Sequence, residues 1–80
     1  MTPPTNPQAA LREAVETSRR GWQRAEADEP GLLRQIEASD GPARAWLRYQ
    51  LVVNTLRKAA CLEMEKAAKR ELASMEGQSL

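Results

Sequence analysis

Residues 42–75 read PARAWLRYQLVVNTLRKAACLEMEKAAKRELASM, with no glycine in the segment and no proline after Pro42. Apolar residues recur here every three or four positions, the spacing that places side chains on one face of an α-helix. At about 1.5 Å of rise per residue, the segment predicts a helix about 50 Å long, longer than a small domain is wide. The recurring positions are Trp46, Tyr49, Val53, Leu56, Ala60, Met64, Ala67 or Ala68, Leu72 and Met75.

A shorter helical pattern precedes this segment. Asn6 followed by Pro7 is a helix start, because asparagine caps helix N-termini and proline fits the first helical position. The pattern runs to about Ala27. Gly21 lies inside it, where glycine costs about 1 kcal/mol relative to alanine, and indicates either close approach of another helix or a kink. The apolar face of this helix is Leu11, Ala14, Val15, Ser18, Trp22 and Ala25.

Two interruptions divide the remaining sequence. Residues 28–31 (DEPG) predict a break, after which Leu32, Leu33 and Ile36 form a short connecting element, and residues 39–42 (SDGP) predict a second break. The predicted fold is all-α: a helical hairpin with a short connecting helix and an extended C-terminal helix. We assign residues 1–6 to a flexible N-terminal arm, 7–76 to a single helical hairpin domain and 77–80 to a frayed tail, with Gly77 as the helix stop.

The predicted arms differ in length, which leaves part of the long helix without cover. We expect Leu56 to face the first helix and Met75 to project beyond it, and the segment past about Ala60 to be unpaired. An uncovered stripe of small and flexible apolar residues is typical of a helix–helix interface. We therefore predict that the chain binds a partner helix, or self-associates as a homo-oligomer, through Leu56, Ala60, Met64, Ala67, Leu72 and Met75.

Composition argues against catalysis. The chain has 80 residues and no histidine, which is the commonest general base and metal ligand. The glycines are too dispersed for a phosphate-binding loop, and the carboxylates of the long helix alternate with basic residues. We expect no catalytic, cofactor-binding or metal site, and a non-enzymatic protein.

The sequence also bears on location. The single cysteine, Cys61, has no internal disulfide partner and fits a reducing compartment, where we expect it to act as a small buried or half-buried apolar residue. The first residues, MTPPTNPQ, lack a secretory signal, and no segment has the apolar length of a membrane span. These features predict a cytoplasmic protein.

The alternative function is that of a small nucleic-acid-associated or phage-type regulatory protein. Its phosphate contacts would come from four basic residues, and Trp46 or Tyr49 would stack on bases. A net charge of only +1 and the position of both aromatic residues on the apolar face weigh against it. The basic positions are Arg44, Arg48, Arg57 and Lys58, while Arg19, Arg20 and Arg24 fit a solvated face better than a phosphate-binding strip.

Residues 28–36 (DEPGLLRQI), the Trp46-x-x-Tyr49 pair and residues 51–59 (LVVNTLRKA) together resemble small helical components of bacterial type III secretion systems. Needle and inner-rod subunits of that class are helix–turn–helix hairpins, and the co-chaperones of needle subunits are similar. The break at residues 39–42 and the polar ending MEGQSL differ from the needle pattern. The resemblance therefore implies a co-chaperone or accessory subunit that binds a partner helix. The matching positions are Asp28, Pro30, Leu32, Leu33, Trp46 and Tyr49.

Overall fold

The computed structural model describes residues 6–78, which form two antiparallel helices, α1 (Pro7–Ala38) and α2 (Gly41–Gln78). The pair is an elongated rod of 59 × 25 × 13 Å. The predicted all-α helical hairpin is confirmed. Gly77 lies within α2 and does not end it. The rest of the predicted frayed tail, residues 79–80, and residues 1–5 of the predicted arm lie outside the described residues.

The start of α1 follows the sequence signal. The Asn6 side-chain oxygen accepts a hydrogen bond of 3.1 Å from the backbone N–H of Ala9. Pro7 occupies the first turn, where its missing N–H would have had no helical partner in any case. The predicted cap and first residue are therefore confirmed.

The predicted break at residues 28–31 is wrong, because α1 continues through Pro30 to Ala38. Proline inside a helix removes the hydrogen bond to the carbonyl four residues earlier, here that of Glu26. In the same region the Asn54 Nδ2 donates a buried hydrogen bond of 2.7 Å to the carbonyl of Ala25. Leu32 and Ile36 are half-buried at the spacing that continues the same face of α1 beyond the proline. The predicted connecting helix is thus the last part of α1.

A tight turn joins the helices. Only Ser39 and Asp40 lie between them, and Gly41 has a φ of +59°, a left-handed conformation that favours glycine. The Arg44 Nε donates a hydrogen bond of 2.7 Å to the carbonyl of Ser39, which satisfies a backbone group at the end of α1. The turn therefore brings the helices directly alongside one another, with α2 beginning one residue before the predicted Pro42.

The helices pack along one line of alternating three- and four-residue steps, the spacing of a two-stranded coiled coil. We call this line the seam, and every residue in it is buried or half-buried. Its α1 members include most of the predicted apolar face of the first helix. The seam comprises Leu11, Val15, Ser18, Trp22, Ala25, Glu29, Leu32 and Ile36 of α1, and Leu47, Leu51, Asn54, Lys58, Cys61, Glu65, Ala68, Leu72 and Met75 of α2.

The arms are nearly equal in length, with 32 residues in α1 and 38 in α2, so the predicted unpaired C-terminal half of α2 is wrong. Glu65 contacts Arg19 at 2.7 Å, Ala68 is buried, and Glu76 lies 4.0 Å from Arg12 near the start of α1. The physical reason is the continuity of α1 through Pro30. Without a break there, α1 is long enough to cover α2 almost to its end.

The helices approach each other closely at Gly21. A Cβ atom placed on residue 21 would lie 2.7 Å from the Cys61 Sγ, well inside van der Waals contact. Of the two interpretations of this glycine, close approach of another helix is therefore the correct one. Cys61 is half-buried in the seam, as the sequence predicted.

Candidate partner-binding face

A second apolar surface of α2 is not covered by α1. Its large side chains are mostly exposed: Trp46 is 59% exposed, Tyr49 57%, Val52 56%, Leu56 65% and Met64 60%. Exposed apolar residues that cluster on one face mark sites of association, whereas scattered ones need no explanation. We call this surface the outer stripe and define it as Trp46, Tyr49, Val52, Leu56, Ala60, Met64 and Ala67, all of which are exposed.

The outer stripe is bulky at one end and small at the other. Trp46 and Tyr49 form a tilted aromatic pair with ring centroids 5.6 Å apart and planes at 33°. At the other end, Ala60 and Ala67 have small side chains, so a docked helix could approach the backbone of α2 more closely there. From Trp46 to Ala67 the stripe extends about 30 Å at the helical rise, long enough for about five or six turns of a docked helix.

The structure divides the six predicted partner-binding residues into two sets. Leu56, Ala60, Met64 and Ala67 lie in the outer stripe, whereas Leu72 and Met75 are half-buried in the seam against α1. The expectation that Leu56 faces α1 and Met75 projects beyond it is therefore wrong, and the two positions are reversed. A role in partner binding for these residues remains a prediction.

Sequence reasoning missed three members of the outer stripe. Trp46 and Tyr49 were placed on the apolar face of the long helix but not among the partner-binding residues, and Val52 was not singled out. The spacing of Leu47, Leu51 and Leu72 could have identified the face of α2 that packs on α1. The face with Trp46 and Tyr49 would then have been recognised as exposed. This signal is weak because the seam of α2 also contains polar residues.

Two arginines flank the outer stripe on opposite edges. Arg48 and Arg57 are exposed, and neither guanidinium forms an ion pair or hydrogen bond with the part of the chain that the structure describes. The other two residues of the predicted basic group are engaged, because Arg44 donates to the Ser39 carbonyl and Lys58 lies 3.5 Å from a Glu26 carboxylate oxygen. Of the predicted basic group, Arg48 and Arg57 are therefore the two residues available beside the stripe.

One acidic residue interrupts the apolar line. Glu63 projects between Leu56 and the C-terminal end of the stripe, where its carboxylate lies 3.4 Å from the Lys66 Nζ one turn later. The two charges offset each other locally. On α2 the unpaired charge along the outer stripe therefore comes from Arg48 and Arg57, while α1 contributes Asp28 to the groove beside Arg57 and Glu13 to the groove beside Met64.

The two flanks of the hairpin differ. On one flank, ion pairs cross between the helices: Arg12–Glu76 at 4.0 Å, Arg19–Glu65 at 2.7 Å and Lys58–Glu26 at 3.5 Å. On the other flank a shallow groove of about 370 Å³ lies beside Met64. The outer stripe thus continues over this second flank towards the small residues of α1 that line the groove, which are Ala10, Ala14, Thr17 and Ser18.

A further groove on the same flank lies nearer the turn and is more polar. It has a volume of about 400 Å³ and lies beside Val53 and Arg57 of α2 and Asp28 and Gln35 of α1. Its position next to Arg57 gives a docked side chain access to that guanidinium from the edge of the outer stripe.

Glu65 is the most strongly bonded carboxylate of the hairpin. Its Oε1 accepts a hydrogen bond of 2.7 Å from the Arg19 Nε, and its Oε2 accepts one of 3.3 Å from the Trp22 indole. The hydrogen bond from Arg19 and, with smaller effect, the charge of Lys69 and the bond from Trp22 hold the pKa of Glu65 below its usual value, while desolvation opposes them. Glu65 is therefore an ionised structural group that ties α2 to α1.

Other classes of site find little support in the described residues. Within residues 6–78, no three histidine, cysteine, aspartate or glutamate residues are grouped closely enough to hold a metal ion. Over the same range, neither helix has a stretch with both the length and the apolar character of a membrane span. No protein-family model, curated protein or solved structure matches the chain.

Proposed function

We propose that the chain is a non-enzymatic helical interaction module that docks a helix, of a partner protein or of a second copy, on the outer stripe of α2. The observation that carries this proposal is the exposure of five large apolar side chains on one face of a helix whose other face is already packed. Such a helix is apolar on two sides, which is typical of helices buried between two neighbours.

We also propose a class of partner and a cellular location. The resemblance to type III secretion co-chaperones names one class of occupant, a helical subunit of a secretion apparatus. A cytoplasmic site of action is supported by the single free thiol of Cys61, because unpaired cysteines suit a reducing compartment.

The test of docking compares what the intact chain captures from its native host with and without the stripe. We expect Leu56→Asp, at the centre of the outer stripe, to abolish capture of the specific partner and any concentration-dependent self-association. Gln23→Asp is the matched control, because residue 23 is exposed on the outer face of α1. Mass spectrometry and light scattering are the measurements. Identical captured proteins and an unchanged oligomeric state in Leu56→Asp would overturn the proposal.

Nucleic-acid binding is a second candidate function, favoured by one observation. Trp46 and Tyr49 are exposed next to Arg48, so their rings are available for stacking on bases. The engagement of Arg44 and Lys58 within the hairpin leaves only half of the predicted basic group for phosphates. Fluorescence anisotropy with labelled single and double strands at about 50 mM salt tests it, and absence of binding there eliminates it.

A further inference from the structure

Building on the proposed docking role of α2, we propose that the occupant of the outer stripe is an acidic amphipathic helix of another protein. The combination that points to it is an apolar stripe about 30 Å long with an unpaired arginine on each edge. Carboxylates on both sides of the apolar face of a docked helix would pair with these arginines.

The first step concerns the arginines themselves. Arg48 and Arg57 are nine positions apart, about 14 Å along the helix axis, and they lie on opposite edges of the outer stripe. An isolated surface ion pair contributes little, but a guanidinium at the rim of an apolar interface steers binding and selects against like charge. Two such groups therefore favour an occupant with glutamate or aspartate on both of its edges.

The second step excludes a second copy as the preferred occupant. In an antiparallel pairing of two α2 helices centred on Leu56, the Arg57 of one copy lies next to the Arg57 of the other. In a parallel pairing in register, each side of the interface carries Arg48 of one copy and Arg57 of the other, about 14 Å apart along the axis. Both pairings bring arginines of the two copies to the same side of the interface, and like charges there are unfavourable, whereas an acidic helix is attracted at the same positions.

The third step concerns nucleic acid, which is also anionic. Bases stack on aromatic rings, and Trp46 and Tyr49 offer these at one end only. The remainder of the outer stripe consists of the aliphatic or thioether side chains of Val52, Leu56 and Met64, with alanines between them. Such side chains match the apolar face of a helix at three- and four-residue spacing, and they offer no further stacking platform.

The experiment uses the full chain and three synthetic helical peptides of about 20 residues, which match the length of the outer stripe. The peptides share one apolar face of leucine and alanine and differ only at the edges, which carry glutamate, glutamine or lysine. Binding is measured by isothermal titration calorimetry at low and at physiological salt. We expect the glutamate peptide to bind at least about tenfold more tightly than the lysine peptide, with a difference that shrinks as salt rises.

Two pairs of substitutions test where the selectivity originates. We expect Arg48→Glu with Arg57→Glu to reverse the preference between the glutamate and lysine peptides. Arg20→Glu with Arg24→Glu changes the net charge equally on the exposed outer face of α1, and we expect it to leave the preference largely intact. Circular dichroism checks that helix content is equal in all variants.

The outcomes separate this inference from the proposed function. Equal binding of all three peptides, abolished by Leu56→Asp, would overturn the acidic occupant and retain the docking role. Self-association that Leu56→Asp disperses, without selective peptide binding, would do the same in favour of a second copy. Displacement of the glutamate peptide by an oligonucleotide at the same site would assign the face to nucleic acid. Absence of both peptide binding and self-association would overturn the inference and the docking role together.

Discussion

Asn54 of α2 donates a hydrogen bond of 2.7 Å from its Nδ2 to the backbone carbonyl of Ala25 in α1, at a buried position of the seam. A buried polar side chain in a helix interface satisfies its partner in only one register, so it selects that register over others. The contact is close to Pro30, where α1 lacks one of its own hydrogen bonds. Asn54 therefore fixes the alignment of the two helices close to the proline of α1.

Replacing this donor tests its role. Asn54→Asp keeps the shape of the side chain but places a carboxylate against a carbonyl oxygen, so we expect a loss of at least about 2 kcal/mol in the free energy of unfolding at pH 7. Towards pH 4 the penalty relative to the wild type should shrink, because a protonated carboxyl can donate again. Urea unfolding at both pH values measures this. A penalty that does not change with pH would contradict the donor role.

The approach of Cys61 to Gly21 predicts a coupling between the two positions. Gly21→Ala should fail to deliver the gain of about 1 kcal/mol that alanine brings to a helix interior, because its Cβ would meet the Cys61 Sγ. The close distance is 2.7 Å. In a Cys61→Ala background the same change should stabilise by about that amount. A double-mutant cycle in urea measures the coupling, and strictly additive effects would show that the helices are farther apart here.

The division between seam and outer stripe predicts unequal effects of charge at two leucines. Leu56→Asp lies on the exposed face and should change the free energy of unfolding by no more than about 0.5 kcal/mol. Leu72→Asp places a charge in the seam and should cost about 2 kcal/mol or more. Thermal and urea unfolding of both variants provide the comparison. A larger loss for Leu56→Asp than for Leu72→Asp would place Leu56 against α1 after all.

Glu65 makes the stability of the hairpin depend on pH. Its pKa is lower in the folded chain than the usual value of 4.5, chiefly because Arg19 donates to its carboxylate. A lowered pKa means that its stabilising contribution is complete above about pH 5 and is lost as the pH falls below 4.5 towards the folded pKa. Glu65→Gln should therefore lower the melting temperature at pH 7 and flatten its fall between pH 5 and pH 3.

Glu63→Gln is the matched control for this prediction, because Glu63 is exposed and its carboxylate pairs with Lys66 of its own helix and, among residues 6–78, with no group of α1. We expect its pH dependence to follow the wild type. Melting curves recorded in steps across this pH range distinguish the two. If Glu65→Gln and Glu63→Gln have the same profile, the buried contact with Arg19 does not contribute to the pH dependence.

The hairpin could be predicted from local signals, and its register could not. Asn6, Pro7 and the turn around Gly41 act within a few residues, so their effect is visible in the sequence. Pro30 also has a local effect, a cost of about 3 kcal/mol inside a helix, but burial along the face of α1 that includes Leu32 and Ile36 offsets it. Only the tertiary structure shows that this burial exists, so the predicted break and the unequal arms were wrong.

The sequence did not show which face of α2 packs on α1, for a related reason. Periodicity ranks the faces of a helix by their apolar content, and the outer stripe is more apolar than a seam that includes Asn54, Lys58 and Glu65. These polar residues can be buried because α1 supplies their partners, among them Arg19 and the Ala25 carbonyl. Which face of α2 is buried depends on its complementarity with α1. The apolar pattern of α2 alone does not contain this information.

Helix α2 exposes aromatic and bulky aliphatic side chains to water. Exposed apolar surface of this kind lowers the concentration at which the free chain aggregates. The same side chains that would recognise an occupant therefore limit the solubility of the protein when no partner is bound. Co-expression with a binding helix should raise the solubility. The bound helix covers Trp46 and Leu56 and leaves the contacts between α1 and α2 unchanged.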